Sequence, residues 1–323
     1  MRAAQISRLD GPAAVKVAEV EEPQAEPGMV VIDVHAAGVT YPDALLSRGE
    51  YQISPELPFV PGSEVAGVVR AAPEGGAVRP GDRVAAFPGF GGFAEVVGVM
   101  PQAVFPLPDR VSFAAGAALP MNYLTVHFAL ARRAGLRPGE TVLVHGAAGG
   151  IGTAAVQFAR AMGARVIAVT SSEDKAATAR AAGAHDVVDA ADFRAAVKDI
   201  TGGRGVDIVV DPVGGERFTD SLRSLAPEGR LLVVGFTGGE IPTVKVNRLL
   251  LNNIAVVGVG WGAFWMSGNP DYLQEQWSEL SPLVANGELD PVLGNAYPLE
   301  QADAAVAELD TRRATGKVVL RVR

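Results

Sequence analysis

The sequence predicts an α/β protein in which a doubly wound parallel sheet is inserted into a β-rich domain. Three features lead to this prediction: strands alternating with helices from about residue 140, turn-rich apolar runs before about residue 115, and a short mixed tail. A length of 323 residues fits two domains. The apolar share of 48% and the charged share of 20% are ordinary for a globular chain, so wholesale disorder is excluded.

Short apolar runs broken by glycine and proline make up the first part of the chain. Residues 29–39, 64–72 and 81–87 are rich in β-branched side chains, as strands are. Pro61-Gly62 and Pro80-Gly81 supply turns between such runs. This pattern predicts a largely antiparallel β domain.

From Glu140 onward, apolar strands alternate with helical stretches. Strands that are apolar throughout and separated by helices of about 10–15 residues have both sheet faces covered, which predicts a parallel doubly wound sheet. Six such strands fit the two halves of a dinucleotide-binding fold. The predicted strands are 141–146, 165–170, 186–189, 206–211, 230–235 and 253–259.

The tail contains a predicted amphipathic helix at 269–289, a second helix at 300–313 and a terminal strand at 317–322. Because these residues are too few for a separate domain, we expect them to complete the first one. The predicted domains are therefore 1–118 plus 262–323 for the β-rich domain and 119–261 for the nucleotide domain.

Composition excludes several classes of function. The chain has no cysteine, which removes disulfides, thiolate nucleophiles and sulfur-ligated zinc, and its four histidines are dispersed, so no metal is expected. A formal charge of −8 without a basic stripe argues against a nucleic-acid partner. Without a signal peptide or a long apolar run, we expect a cytoplasmic protein with no membrane partner.

Residues 145–152, His-Gly-Ala-Ala-Gly-Gly-Ile-Gly, follow a predicted strand and open a predicted helix. Glycines permit a tight turn and let a pyrophosphate approach the main chain at the N-terminus of the helix. Glycine-rich turns of this kind also serve packing alone. The strand before and the helix after favour dinucleotide binding, with Gly146, Gly149, Gly150, Ile151 and Gly152 as candidate contacts.

The end of the next strand indicates which dinucleotide binds. An NAD-selective site usually has a carboxylate there, whereas this chain has Thr170, Ser171 and Ser172, followed by Lys175. Hydroxyls and an ammonium suit a 2′-phosphate, so we expect NADPH. Two alternatives remain at this point: a serine that only caps the helix, and a role for the neighbouring Glu173 or Asp174.

The order of motifs resembles the zinc-free quinone oxidoreductase branch of the medium-chain dehydrogenase/reductase superfamily, which includes zeta-crystallin. The resemblance spans essentially the whole chain. It implies a GroES-like catalytic domain around an inserted Rossmann domain, a cofactor cleft between them, and a homodimer or homotetramer. The motifs are PGSEVAGVV (61–69), GGFAE (91–95), PMNYLTVHFAL (120–130), the segment 136–160, DPVGG (211–215), GRLLVVGF (229–236) and RATGKVVL (313–320).

The resemblance also assigns roles to single residues. Zinc-dependent relatives carry Gly-His-Glu where this chain has Gly62-Ser63-Glu64, so no zinc is implied. Packing remains the alternative for Phe236 and Trp261, and a solvated position for Arg313. The implied contacts are Thr125 near the nicotinamide, Gly149, Gly150 and Ile151 at the pyrophosphate, Ser171, Lys175 and Arg313 at the 2′-phosphate, and Gly235, Phe236 and Trp261 along the cofactor.

Hydride transfer to a quinone or an activated C=C bond places negative charge on an oxygen, which a metal, a hydroxyl or a backbone N–H must stabilise. Thr125 and Asn122 are less favoured donors, and the candidate catalytic hydroxyls are those of Tyr51 and Tyr41. Their positions resemble the catalytic tyrosines of mitochondrial enoyl-thioester reductases and of some polyketide-synthase enoylreductase domains, respectively. Both tyrosines could instead simply pack at a domain edge. Thr40 departs from the asparagine that the family often has there.

We therefore expect an NADPH-dependent, zinc-independent oxidoreductase that transfers hydride to a quinone. The alternative substrate is an enoyl thioester or another α,β-unsaturated carbonyl compound (an enone). A third possibility is a non-catalytic NADPH-binding protein.

Overall fold

The chain folds as two units in a computed structural model, which describes residues 1–23 and 27–323. The first unit comprises Met1–Met121, Pro270–Ser281 and Leu293–Arg323. The second comprises Asn122–Asn269 and Pro282–Val292. One unit is thus assembled from segments at both ends of the sequence.

The helices and strands follow one another in the order expected. The first part of the chain contains β1 (Arg2–Ile6), β2 (Val15–Glu19), β3 (Val30–Gly38), α1 (Tyr41–Arg48), β4 (Glu64–Ala71), β5 (Arg83–Ala86), β6 (Val96–Val99), β7 (Val104–Pro106) and α2 (Phe113–Gly116). The middle contains α3 (Pro120–His127), which continues as a π-helical turn (Phe128–Arg133), then β8 (Thr141–Val144), α4 (Gly150–Ala161), β9 (Arg165–Thr170), α5 (Glu173–Ala181), β10 (Asp186–Asp189), α6 (Phe193–Ile200), β11 (Val206–Asp211), α7 (Phe218–Arg223), β12 (Leu225–Val233), α8 (Asn247–Asn252), β13 (Ala255–Gly258) and α9 (Trp261–Met266). The tail contains α10 (Tyr272–Asn286), β14 (Leu293–Pro298), α11 (Ala302–Asp310) and β15 (Lys317–Arg321).

The first unit is built on a seven-stranded sheet with the path β14-β15-β3-β4-β5-β7, and β6 also pairs with β3. Apart from the parallel pair β14–β15, its neighbours run antiparallel. The terminal strand β15 adds beside β3, with Val319 opposite Gly38. The last two strands of the chain therefore join the sheet of the first unit, and the architecture is GroES-like.

The second unit is a six-stranded parallel sheet with the order β10-β9-β8-β11-β12-β13. All six strands correspond to predicted ones. This is the Rossmann order, in which the path of the chain reverses between its first and fourth strands, here β8 and β11. Ligands of such sheets bind beyond the carboxyl ends of the strands at that reversal.

A row of apolar side chains runs across the centre of this sheet. Ile167, Leu143, Val209 and Leu231 stand opposite one another on β9, β8, β11 and β12, and all four are inaccessible to solvent. Burying each contributes about 1.5–3 kcal/mol. Because the row pins the register of four strands, it also aligns their carboxyl ends along one edge.

The contact division differs from the predicted one at residues 119–121, which belong to the first unit, and at residues 262–269 and 282–292, which belong to the second. For the latter segment the reason is a pair of hydrogen bonds. Gln157 Nε2 donates to the carbonyl of Asp290 at 2.6 Å, and the Asp290 N–H donates to Gln157 Oε1 at 3.1 Å. Within residues 1–23 and 27–323, no helix is both long and apolar enough to cross a membrane.

Candidate functional site

The turn between β8 and α4 requires glycine at two positions, for its backbone conformation at Gly146 and for space at Gly152. Gly146 adopts a left-handed φ of 58°. A Cβ atom on Gly152 would lie 2.1 Å from the carbonyl oxygen of Gly146 and 2.6 Å from Ala147 Cα. Gly152 therefore allows α4 to pack against the turn that precedes it, which is the packing role of the third glycine in such motifs.

The N-terminus of α4 is suited to an anion. The first N–H groups of a helix have no acceptor within the helix, and the helix dipole places partial positive charge there. Gly149 is the N-cap, and no side chain in the described ranges caps this helix. Gly149, Gly150 and Ile151 are each partly exposed. They form a cradle of backbone donors that a phosphate can reach.

Helix α3 lies against α4 in the same unit. The buried Tyr123 hydroxyl donates to Gln157 Oε1 at 2.6 Å, and burial raises the pKa of Tyr123. This bond fastens α3 to α4 and so fixes the half-buried Thr125 two residues further along. Asn122, buried at the start of this segment, packs against Gly150.

Ser171 and Lys175 come together after β9. Lys175 Nζ lies 3.5 Å from Ser171 Oγ, whereas Ser172 caps α5 by accepting from the Lys175 N–H at 3.4 Å. The Glu173 carboxylate is held by Arg180 at 2.5 Å. The two serines thus divide the roles considered from the sequence: Ser172 caps the helix, and Ser171 presents a hydroxyl beside an ammonium.

The loops after β11 and β12 support each other at the same sheet edge. Asp211 accepts from the backbone N–H groups of Val213 and Gly214, both at 2.9 Å. A Cβ atom on Gly214 would lie 3.0 Å from the ring of Phe236, so Gly235 and Phe236 stand beside this loop. Trp261, which begins α9, is 4% exposed and packs with its ring centroid 6.2 Å from that of Trp265.

His145 begins the glycine turn and contacts Ser221 on α7, a pairing that the sequence did not predict. The ring is buried, and Nε2 lies 2.8 Å from Ser221 Oγ. The Ser221 hydroxyl donates to the Arg217 carbonyl at 3.0 Å, so the histidine must be the donor and carries its proton on Nε2. Burial lowers the pKa of His145 to about 4. It is neutral near pH 7 and anchors α7 to β8.

In the first unit, Tyr41 begins α1 behind a buried capping box. Thr40 donates to Asp43 Oδ2 through its N–H and through its hydroxyl, both at 2.7 Å. The Gly62 N–H donates to Asp43 Oδ1 at 3.1 Å. Burial raises the pKa of Asp43 despite these bonds. Thr40, the departure from the family's asparagine, therefore fixes the start of the helix that carries Tyr41.

Tyr51 follows α1 and is half-buried. Burial raises the pKa of its hydroxyl, and the charge of Asp43 raises it further. The hydroxyl is thus protonated throughout the neutral range. None of the described residues accepts a hydrogen bond from it, which leaves it able to donate to a bound molecule.

A buried ion pair occupies the position where zinc-dependent relatives have a metal-binding motif. Glu64, inaccessible to solvent, pairs with the buried Lys317 and accepts from the Met121 N–H at 2.7 Å. Burial raises the pKa of Glu64, and Lys317 opposes this shift. The neighbouring Ser63 Oγ is buried and finds no described partner. Across the described residues, no three histidine, cysteine or acidic side chains group together as metal ligands do.

The role of Lys317 was not predicted from the sequence, although a lysine at the start of the apolar strand KVVLRV was a signal for it.

Arg313 lies in the first unit, in an exposed turn before β15, where its Nε donates to Thr311 Oγ1 at 3.0 Å. The tyrosines and Arg313 therefore belong to one unit, and every other predicted site residue belongs to the other. The assigned roles remain predictions.

Two family models match the chain: "Alcohol dehydrogenase GroES-like domain" over residues 26–109 and "Zinc-binding dehydrogenase" over residues 150–286. Quinone oxidoreductase-like protein 2 of Bos taurus is 38% identical, with 99% of this chain and 92% of the relative covered.

Two solved structures are also similar to this chain over its whole length. A probable oxidoreductase from Mycobacterium abscessus is 48% identical with a TM-score of 0.91, covering 100% of this chain and 99% of its own. A quinone oxidoreductase from Thermus thermophilus, solved also in complex with NADPH, is 39% identical with a TM-score of 0.86 and covers 100% of both chains. The chain belongs to the zinc-free quinone oxidoreductase branch of the medium-chain dehydrogenase/reductase superfamily.

Proposed function

We propose that this protein is an NADPH-dependent oxidoreductase whose acceptor is a quinone. The observation that carries the proposal is a set of donors suited to phosphates in the second unit, where a glycine cradle at the N-terminus of α4 is followed by Ser171 and Lys175 after the next strand. Relatives that cover 98% or more of the chain and are named quinone oxidoreductases support the acceptor class.

The residues present fit NADPH. The cradle at Gly149, Gly150 and Ile151 offers backbone donors to the pyrophosphate. Ser171 and Lys175 offer a hydroxyl and a positive charge to the 2′-phosphate, while the nearby carboxylate of Glu173 is held by Arg180. Thr125 would hold the nicotinamide end, with Gly235, Phe236 and Trp261 along the cofactor and Arg313 as a further phosphate contact.

When bound, NADPH supplies a hydride, and the quinone, having taken up that hydride and a proton from water, leaves as a hydroquinone. The chain's own task is to orient the acceptor and to stabilise the oxygen that becomes negative. Tyr51 is suited to this because its hydroxyl is a neutral donor without a described acceptor. Tyr41 is the second candidate donor, held in place by the Thr40–Asp43 capping box.

The same hydroxyl of Tyr51 favours one alternative, reduction of an enone or an enoyl thioester, because a forming enolate needs such a donor. A carrier thioester with phosphates also needs free cations. Arg48 is already paired with Glu50 at 2.9 Å and with Asp310, and Arg133 Nε donates to the Gly258 carbonyl at 2.9 Å. We therefore rank a quinone first and a small enone ahead of a carrier thioester.

The substrate class is tested by following NADPH oxidation with a panel of benzoquinones and naphthoquinones, simple enones and a trans-2-enoyl thioester. We expect turnover with quinones, and turnover with NADPH to exceed that with NADH. Reduction of only the enones or the thioester would replace the quinone assignment. Tight NADPH binding without oxidation by any acceptor would show a non-catalytic binding protein instead.

Tyr51→Phe removes the proposed donor with little change in shape. Quinones need little acid assistance, so we expect less than about threefold loss of kcat with a quinone and about 10²-fold loss with any enone that is reduced. Tyr297→Phe is the matched control, since the Tyr297 hydroxyl already donates to Glu308 Oε2 at 2.7 Å in the same unit. A loss with an enone no larger than that of Tyr297→Phe would contradict the proposed role.

Lys175→Ala removes the positive charge that we propose contacts the 2′-phosphate. We expect Kd for NADPH to rise about tenfold while Kd for NADH, which lacks that phosphate, stays unchanged, as measured by calorimetric titration. Lys198→Ala, an exposed lysine on α6, is the control. If Kd rises equally for both dinucleotides, Lys175 does not recognise the 2′-phosphate.

We further propose that the protein is a homodimer formed through β13. This strand ends the six-stranded sheet and, within the described part of the chain, pairs only with β12, which leaves one edge of its backbone open. The segment before it exposes apolar side chains that a second copy would cover. These are Ile241, Val246, Leu250 and Leu251, which are 71%, 72%, 76% and 75% exposed.

If the protein is a homodimer, its mass in solution is twice the 33.4 kDa of one chain. Leu250→Asp would place a charge in the covered surface, and we expect it to yield monomers by sedimentation velocity without loss of thermal stability of the fold. Leu293→Asp, which alters an exposed leucine on the edge strand β14, should leave the dimer intact. A monomeric or a tetrameric wild type would overturn the proposal as stated.

A further inference from the structure

Asn122 lies against the glycine turn of the second unit, and the proposed function gives it no role. A Cβ atom on Gly150 would lie 2.6 Å from Asn122 Nδ2 and 3.2 Å from both Cγ and Oδ1. The amide of Asn122 therefore occupies the place that a side chain at residue 150 would take. Gly150 is small because Asn122 is there, and Asn122 faces the first residue of α4.

Asn122 is nearly buried, at 6% exposed, and its amide is not hydrogen-bonded to any described residue. A buried amide in the same unit behaves differently: Gln157 accepts from Tyr123 and Asp290 and donates to the Asp290 carbonyl. A side-chain amide has two N–H donors and an acceptor oxygen, and a buried one ordinarily satisfies them. Asn122 is thus an unfilled donor beside an anion-binding helix terminus.

Asn122 also does not serve as a cap for α4. An asparagine near a helix start commonly accepts from one of the first N–H groups, but in the described residues no side chain does so here. The first-turn N–H groups of α4 and the amide of Asn122 are therefore donors without protein acceptors at one place. Such a set of donors fits an oxyanion and not a cation or an apolar group.

We propose that Asn122 Nδ2 donates a hydrogen bond to the dinucleotide phosphate on the nicotinamide side, an inference that rests on the proposed function. The choice of phosphate follows from helix geometry. Thr125, the residue expected near the nicotinamide, is three positions further along α3 and so lies on the same face. Asn122 thus contacts the cradle at Gly150 and shares a helix face with Thr125. An aspartate there would repel the phosphate, whereas an asparagine binds it.

The test uses Asn122→Asp and Asn122→Ala with three probes in calorimetric titrations. The probes are NADPH, 2′-phospho-ADP-ribose, which retains the pyrophosphate but lacks the nicotinamide, and adenosine 2′,5′-bisphosphate, which lacks the nicotinamide-side phosphate. We expect Asn122→Asp to raise Kd about 10- to 100-fold for the first two probes and less than about threefold for the third. Asn122→Ala should raise Kd about tenfold in the same pattern.

Asn252→Asp, at the end of α8, is the charge-matched control and should leave all three affinities unchanged. Thermal melts identify any variant that fails to fold. If Asn122→Asp does not fold, Asn122→Ala alone is compared with the wild type. Unchanged NADPH affinity in both Asn122 variants overturns the inference, and equal weakening of all three probes overturns the assignment to this phosphate. Failure of the wild type to bind NADPH would instead overturn the proposed function.

Discussion

The close approach of α4 to the turn that precedes it is the constraint on which the nucleotide-binding unit depends. At Gly152 a Cβ would stand 2.1 Å from a carbonyl oxygen, so a side chain there would push the helix away from the sheet edge. The displacement would move the N–H groups that form the cradle and would separate Gly150 from Asn122. The proposed anion site of this unit thus depends on backbone packing, since the cradle consists of main-chain groups held by neighbouring contacts.

The first unit depends on a different constraint, a buried set of charges. Glu64 on β4 and Lys317 on β15 flank β3, whose Gly38 leaves room for the Glu64 carboxylate: a Cβ there would lie 2.6 Å from Glu64 Oε1. Removing one partner of a buried pair strands the other and costs about 3–5 kcal/mol. The pair therefore fixes the register of three strands. Asp43, bonded by Thr40 and Gly62, ties the same region to the helix that precedes Tyr51.

Local sequence patterns were sufficient to predict the fold. The six parallel strands, the glycine turn and the return of the tail to the first sheet were predictable because apolar runs and glycine spacing are properties of the adjacent sequence. The sequence did not reveal the pairs between distant residues: Lys317 with Glu64, Ser221 with His145, and Asn122 with Gly150. Each depends on which elements become neighbours in space, and no local spacing encodes that. The partition at 282–292 was missed for the same reason, because it rests on Gln157 and Asp290.

The discontinuous first unit has a consequence for how the chain is made. Strand β3 is translated early, but its neighbour β15 is about 280 residues further along the chain. During synthesis β3 therefore has an open edge, and Glu64 is without its cation until Lys317 emerges. The second unit, by contrast, contains all six of its strands between residues 141 and 258 and can close its sheet first. An interrupted or clipped chain would contain a finished nucleotide-binding module beside a sheet with an exposed edge, the kind of surface that aggregates and that chaperones retain.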